Sequence, residues 1–115
     1  MLFRVVEMDN SRPPHFDGTN FPYYKARMAC HLEVVDLGVW RVTHDRMKPI
    51  KNPDKPTKSE EKEIHFSARA KNCLFESFSI DVFNQVFTLN MTHEIWLKLQ
   101  ELQMAQLMSM SKNIV

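Results

Sequence analysis

From Phe21 onward the apolar residues fall at helical intervals. Phe21, Tyr24, Met28, Leu32 and Val35 recur at spacings of three and four, which puts them on one side of a 3.6-residue helix. Asn20 precedes the run as a candidate N-cap. Pro22 sits in the first turn, where a backbone N–H has no intrahelical partner to lose. This helix is expected to end near Gly38. Val39, Trp40 and Val42 then form a compact apolar group, read as a short helical turn over 39–44 in which Trp40 closes the base of the core.

Thr57 and Glu60 make a capping-box pair. The stretch that follows, up to Phe78, contains no Gly or Pro and offers Ile64, Phe66, Ala68, Ala70, Leu74, Phe75 and Phe78. A helix of about five turns is expected there. Ser79 is the next N-cap, with Asp81 in the first turn, and Val82, Phe83, Val86 and Phe87 pair at spacing four. Thr92 repeats the device with Glu94 behind it, ahead of a stripe of Ile95, Trp96, Leu99 and Leu102. Strand-like alternation is confined to short pairings near 3–6 or 15–17. The expected fold is all-α, a small bundle of about four to five helices with an extended N-terminal arm. Its core is assigned to Phe21, Tyr24, Met28, Leu32, Trp40, Leu74, Phe75, Phe78, Val82, Phe83, Val86, Phe87, Ile95, Trp96 and Leu99.

A length of 115 residues suits one domain. A hydrophobic share of 43% with 25% charged residues is a folding composition, neither a disordered one nor a disulfide scaffold. The net charge of +1 gives no global polyanion-binding signature. Only Arg41 to Lys58 is locally basic, with six cations, two carboxylates and prolines at 49, 53 and 56 that forbid a continuous helix. That segment is expected to be an exposed loop whose Arg46, Lys48, Lys51, Lys55 and Lys58 are candidate RNA-phosphate contacts. It lacks the interleaved aromatics that stack bases.

The remaining chemistry is sparse. Two glycines cannot build a phosphate-binding loop. No two of His15, His31, His44, His65 and His93 share the i, i+4 spacing of helical metal ligands. Cys30 and Cys73 form no Cys-x-x-Cys pair, and Cys30 beside His31 has no acid at a useful offset. Glu60, Glu61 and Glu63 lie at a helix start, where they complement the dipole. The expectation is a non-enzymatic protein with no catalytic residue, metal, cofactor or small-molecule substrate. The opening residues, broken by Arg4, Glu7 and Asp9, have no signal-peptide or membrane-span run, so the expected location is the cytoplasm or the nucleus, with no membrane partner.

Two blocks carry a family likeness. PPHFDGTNFPYYKARM at 13–28 resembles the N-terminal signature of copia-type LTR retrotransposon Gag polypeptides, especially plant ones, through Phe16, Gly18, Asn20, Phe21, Tyr24 and Met28. Gly38-Val39-Trp40 matches the Val-Trp that follows the first helix in that family. AKNCLFESFSIDVFNQVFTLNMTHEIWLKLQ at 70–100 resembles the second block, with its Thr-x-x-x-Trp helix carrying Trp96 and Leu99. The resemblance spans about 12–102. It divides the chain into an arm at 1–12, a Gag-like helical domain at 13–102 and a divergent tail at 103–115.

The chain departs from the family at Tyr24, where Trp is usual, and after residue 102, where the family continues with His, Asp or Glu, Gly, Thr and Ser. Encoded as CAT GAT GGC ACA A, the sequence His-Asp-Gly-Thr becomes CAG ATG GCA CAA when its first T is lost. That reads as the Gln103-Met104-Ala105-Gln106 found here. The tail is therefore expected to be a frameshifted, disordered end on a truncated Gag polypeptide, with Met104, Met108 and Met110 as an alternative, adaptable partner surface. The zinc knuckle of full-length family members does not carry over.

The resemblance implies a structural capsid polypeptide that self-associates with itself or Gag-like proteins and assembles particles, with RNA contact a weaker element. A host-adopted helical interaction module, a functionless transposon relic and a small RNA-binding protein are the other readings of the same residues.

Overall fold

The computed structural model describes residues 12–114, with side chains through Ser109. The arm expected over 1–12, Arg12 apart, and a pairing at 3–6 lie outside the described residues. Five α-helices follow in chain order: α1 (Phe21–Val35), α2 (Leu37–His44), α3 (Lys58–Ser77), α4 (Ile80–Val86) and α5 (Thr92–Ile114). The all-α expectation holds. The one β-like feature among the described residues is an isolated parallel bridge between Phe16 and Phe78, which realises the pairing expected at 15–17.

Local sequence accounts for most boundaries. At α3 the capping box is complete, with the Thr57 hydroxyl accepting from the Glu60 N–H at 3.2 Å and the Glu60 carboxylate accepting from the Thr57 N–H at 2.8 Å. Ser79 caps α4 by accepting from the Val82 N–H at 3.3 Å. Three expected boundaries are corrected. Asn20 does precede α1, but it adopts the left-handed conformation (φ 53, ψ 50) and its side chain makes no cap hydrogen bond; Asn tolerates this region better than most residues. The break after α1 falls at Asp36, whose carboxylate accepts from the Gly38 N–H at 2.8 Å and starts α2. Gly38 thus lies inside α2, where a Cβ would overlap the Phe66 ring of α3; glycine serves close helix approach there. Thr92 is the first residue of α5 and does not cap it, because its hydroxyl donates to the Val42 carbonyl at 3.4 Å.

The central element is the eight-residue α2, which packs against α1, α3 and α5. Its last carbonyls would be unpartnered in an isolated helix. Here Arg41 takes the Asp45 N–H, Val42 takes the Thr92 hydroxyl, and Thr43 takes the Nδ1–H of His93 at 3.0 Å. The start of α5 is thereby fixed on the end of α2.

Around this axis Tyr24, Met28, Leu32, Val39, Val42, Leu74, Val86, Ile95, Trp96 and Leu99 are almost wholly buried, joined by Phe16, Phe21, Ala70, Phe78 and Val82. Phe87 leaves the expected core: it follows the last residue of α4, stacks on Phe83 at 5.5 Å and is 51% exposed among the described residues. Trp40, Phe75 and Phe83 pack on the core while remaining partly exposed. His31 is buried on α1.

The tail is the largest correction. It continues α5 to Ile114 as helix. Residues 103–114 contain no Gly or Pro and are mostly Gln, Met, Leu, Ala and Ser, so helix propensity allows the run to continue.

Candidate interaction surfaces

Most of the residues that carry the family likeness sit in the interior, whereas Gly18 and Trp40 are half-buried and Asn20 is exposed. Phe16 lies outside every helix yet is buried, its backbone clamped by Phe16 N–H to Ser77 carbonyl at 2.7 Å and Ser79 N–H to Phe16 carbonyl at 2.9 Å. Its ring stacks on Tyr24 at 4.5 Å between centroids and meets Phe78 edge-on at 6.5 Å. Tyr24 and Ser77 hydroxyls lie 2.7 Å apart, and Ser77 Oγ also reaches the Leu74 carbonyl at 2.6 Å. Burial drives the Tyr24 phenol well above its ordinary pKa, with the Ser77 contact opposing it, so this hydroxyl is a neutral structural group. Gly18 takes a positive φ of 100 in the turn that delivers Phe16 to the core. Trp40 and Trp96 meet edge-to-face at 5.8 Å. Met28 and Leu99 are buried as well.

The basic loop is exposed, as expected, but it is held in place. Glu63, expected to complement the helix dipole, is a buried anchor: it pairs with Arg41 and accepts from the Lys48 N–H at 3.0 Å. Burial alone would raise its pKa, and the Arg41 and Lys48 contacts outweigh that and hold it below the usual carboxylate range. Glu60 accepts from the Lys51 N–H at 3.0 Å as well as from Thr57. Arg46, Lys48, Lys51 and Lys55 therefore project from a pinned backbone, and Lys58 opens α3. None of the five forms an ion pair among the described residues.

Two grooves remain. One, of about 450 Å³, is lined by His31, His65, Arg69, Cys73 and Glu76 among others. Burial lowers the His31 pKa and raises that of Cys73, with Glu76 opposing the first shift and reinforcing the second. A thiol held protonated is a poor nucleophile. No three His, Cys, Asp or Glu residues among those described converge in a way that could hold a metal ion. The other groove, about 660 Å³, runs between α1 and α5 over Ala26, Ala29, Trp40, Trp96 and Leu97, and is bridged by Lys25 Nζ donating to Gln100 Oε1 at 3.3 Å.

Beyond this second groove, α5 presents Met104, Leu107 and Met108 to solvent at 60, 50 and 61% exposure. The interval pattern that reveals a core stripe also runs through Leu97, Met104 and Met108. The signal for this face was present in the sequence; the expected disorder of the tail hid it. The Arg41–Glu63 pair had only a charge pattern to announce it.

No described helix is long and apolar enough to cross a membrane. Comparison with known protein families, curated proteins and solved structures gives no match.

Proposed function

We propose that this chain is a non-catalytic, Gag-like helical module of the copia type that works by associating with copies of itself or with Gag-like polypeptides. The observation that carries this reading is the meeting of the two resembling blocks in one interior. Phe16 and Tyr24 of the first, with Phe21 against both, pack with Phe78 of the second, and Trp40 meets Trp96. Residues matched for their likeness alone have a shared physical task, which supports reading them as one signature. The described surface offers grooves and an apolar helix face.

The test is sedimentation of the purified chain across concentration, with far-UV circular dichroism on the same samples. A helical protein that associates reversibly supports the reading, and its co-expression with a copia-type Gag should then reduce particle yield. A helical chain that stays monomeric at all concentrations and leaves particle yield unchanged contradicts it.

The pinned basic loop favours RNA contact as a subsidiary property. Phosphate binding through Arg46, Lys48, Lys51, Lys55 and Lys58 should weaken steeply with salt. Affinity for a single-stranded RNA that does not change with salt would exclude it.

A further inference from the structure

We infer that the outer face of α5, Leu97 through Met104 to Met108 with Leu107 beside it, is where a second copy of this chain docks, the two α5 helices crossing antiparallel. The inference rests on the self-association reading and names the face that performs it.

Three observations carry it. First, Gln100, Met104 and Leu107 follow Leu97 at spacings of three, four and three, so the floor of the α1–α5 groove continues into the tail as one stripe. Second, the tail's described side chains from Met104 to Ser109 are all exposed. A dozen residues of isolated helix are marginal in water, and a helix gains most of its stability by covering an apolar face. Third, residues 103–111 carry no charge, and Lys98 beside the stripe is matched by Glu101 at 3.8 Å. A strongly acidic or basic partner finds little to pair with there, whereas a second copy laid antiparallel sets the uncharged 103–111 of each chain against 94–102 of the other, so that no like charges are opposed.

A twofold axis near residues 102–103 makes the contact isologous, with the Leu97 end of each stripe against the Met108 end of the other. From Leu97 to Met108 the stripe is roughly 16 Å long at the rise of an α-helix. Such a strip, even with the groove floor, falls short of the roughly 800 Å² per partner of a standard stable interface. The dimer should therefore be weak and reversible, which suits a module whose core is complete within one copy.

Sedimentation velocity from about 10 μM to about 1 mM, a span suited to weak association, tests it on the full chain. A Met104→Glu/Met108→Glu variant should weaken association at least tenfold while leaving the circular dichroism of the core intact. Ile80→Glu, at an exposed apolar position on α4, should leave it unchanged. Oxidation should crosslink a Met104→Cys variant faster than an Ile80→Cys variant, both in a Cys30→Ser background. Association that persists in the double-Glu variant, or faster crosslinking through position 80, overturns the assigned face and leaves the self-association reading standing. A wild-type chain monomeric to 1 mM overturns both.

Discussion

The two halves of α5 carry apolar residues at the same helical spacing and have opposite fates. Ile95, Trp96 and Leu99 are at most 2% exposed, whereas Met104, Leu107 and Met108 are at least 50% exposed. The first half lies where α2 and α3 pack against it; the outer face of the second half has no such cover among the described residues. Periodicity therefore reports which side of a helix is apolar, and neighbouring elements decide whether that side is a core or a contact surface. The two sets lie on opposite sides of α5: Leu97, in line with Met104 and Met108, is already 41% exposed within the first half.

That contrast can be broken from its buried side first. Truncation of Trp96 to Ala should cost about 3 to 5 kcal/mol, enough to consume much of the stability of a small domain, and a chemical denaturation curve checks it. Trp40 is only partly buried, so Trp40→Ala should cost less, about 1 to 3 kcal/mol. Equal losses at the two positions would mean that the edge-to-face pair is buried as a unit.

Glu63→Gln should cost about 1 to 2 kcal/mol, below the range for breaking a fully buried pair because Arg41 keeps 35% of its side-chain surface in water. The Glu63 carboxyl titrates lower in the folded protein than in the unfolded chain. Its stabilisation is therefore complete above the ordinary carboxylate range and is lost as pH falls through its folded-state value. Thermal melts over pH 2–7, a span covering that range, should show a shallower acid loss in the variant than in the wild type. Parallel curves would remove Glu63 from the account of acid stability.

Tyr24→Phe should cost about 1 kcal/mol, since Ser77 keeps its bond to the Leu74 carbonyl and is not left unpartnered. The smallest effect on folding is expected at the exposed stripe, where Met104→Ala should stay within about 0.5 kcal/mol in dilute solution. A loss comparable with that at Trp96 would place Met104 in the core and erase the contrast between the halves.

Much of this architecture was legible in the chain. The Thr57–Glu60 box and the Ser79 cap fixed two helix starts through side-chain oxygens within three residues, which is local chemistry. The buried stripe of α1 followed from spacing alone. What escaped was non-local. Thr92 looks like an N-cap, yet its hydroxyl is drawn to a carbonyl fifty residues away. Gly38 looks like a helix stop but is a point of close approach to Phe66. Phe87 follows the apolar rhythm of α4 but extends past its last covered turn. Among the surface residues, the cations of the basic loop were legible from composition, while their anchoring by Glu60 and Glu63 required the fold.

Amide hydrogen exchange along α5 at low and high protein concentration measures the central contrast directly. The account predicts that amides around Ile95–Leu99 exchange only through global opening at both concentrations. Amides around Met104–Met108 should exchange orders of magnitude faster when dilute and slow markedly when concentrated. Uniform protection along the whole helix in dilute solution, unchanged on concentration, would contradict it.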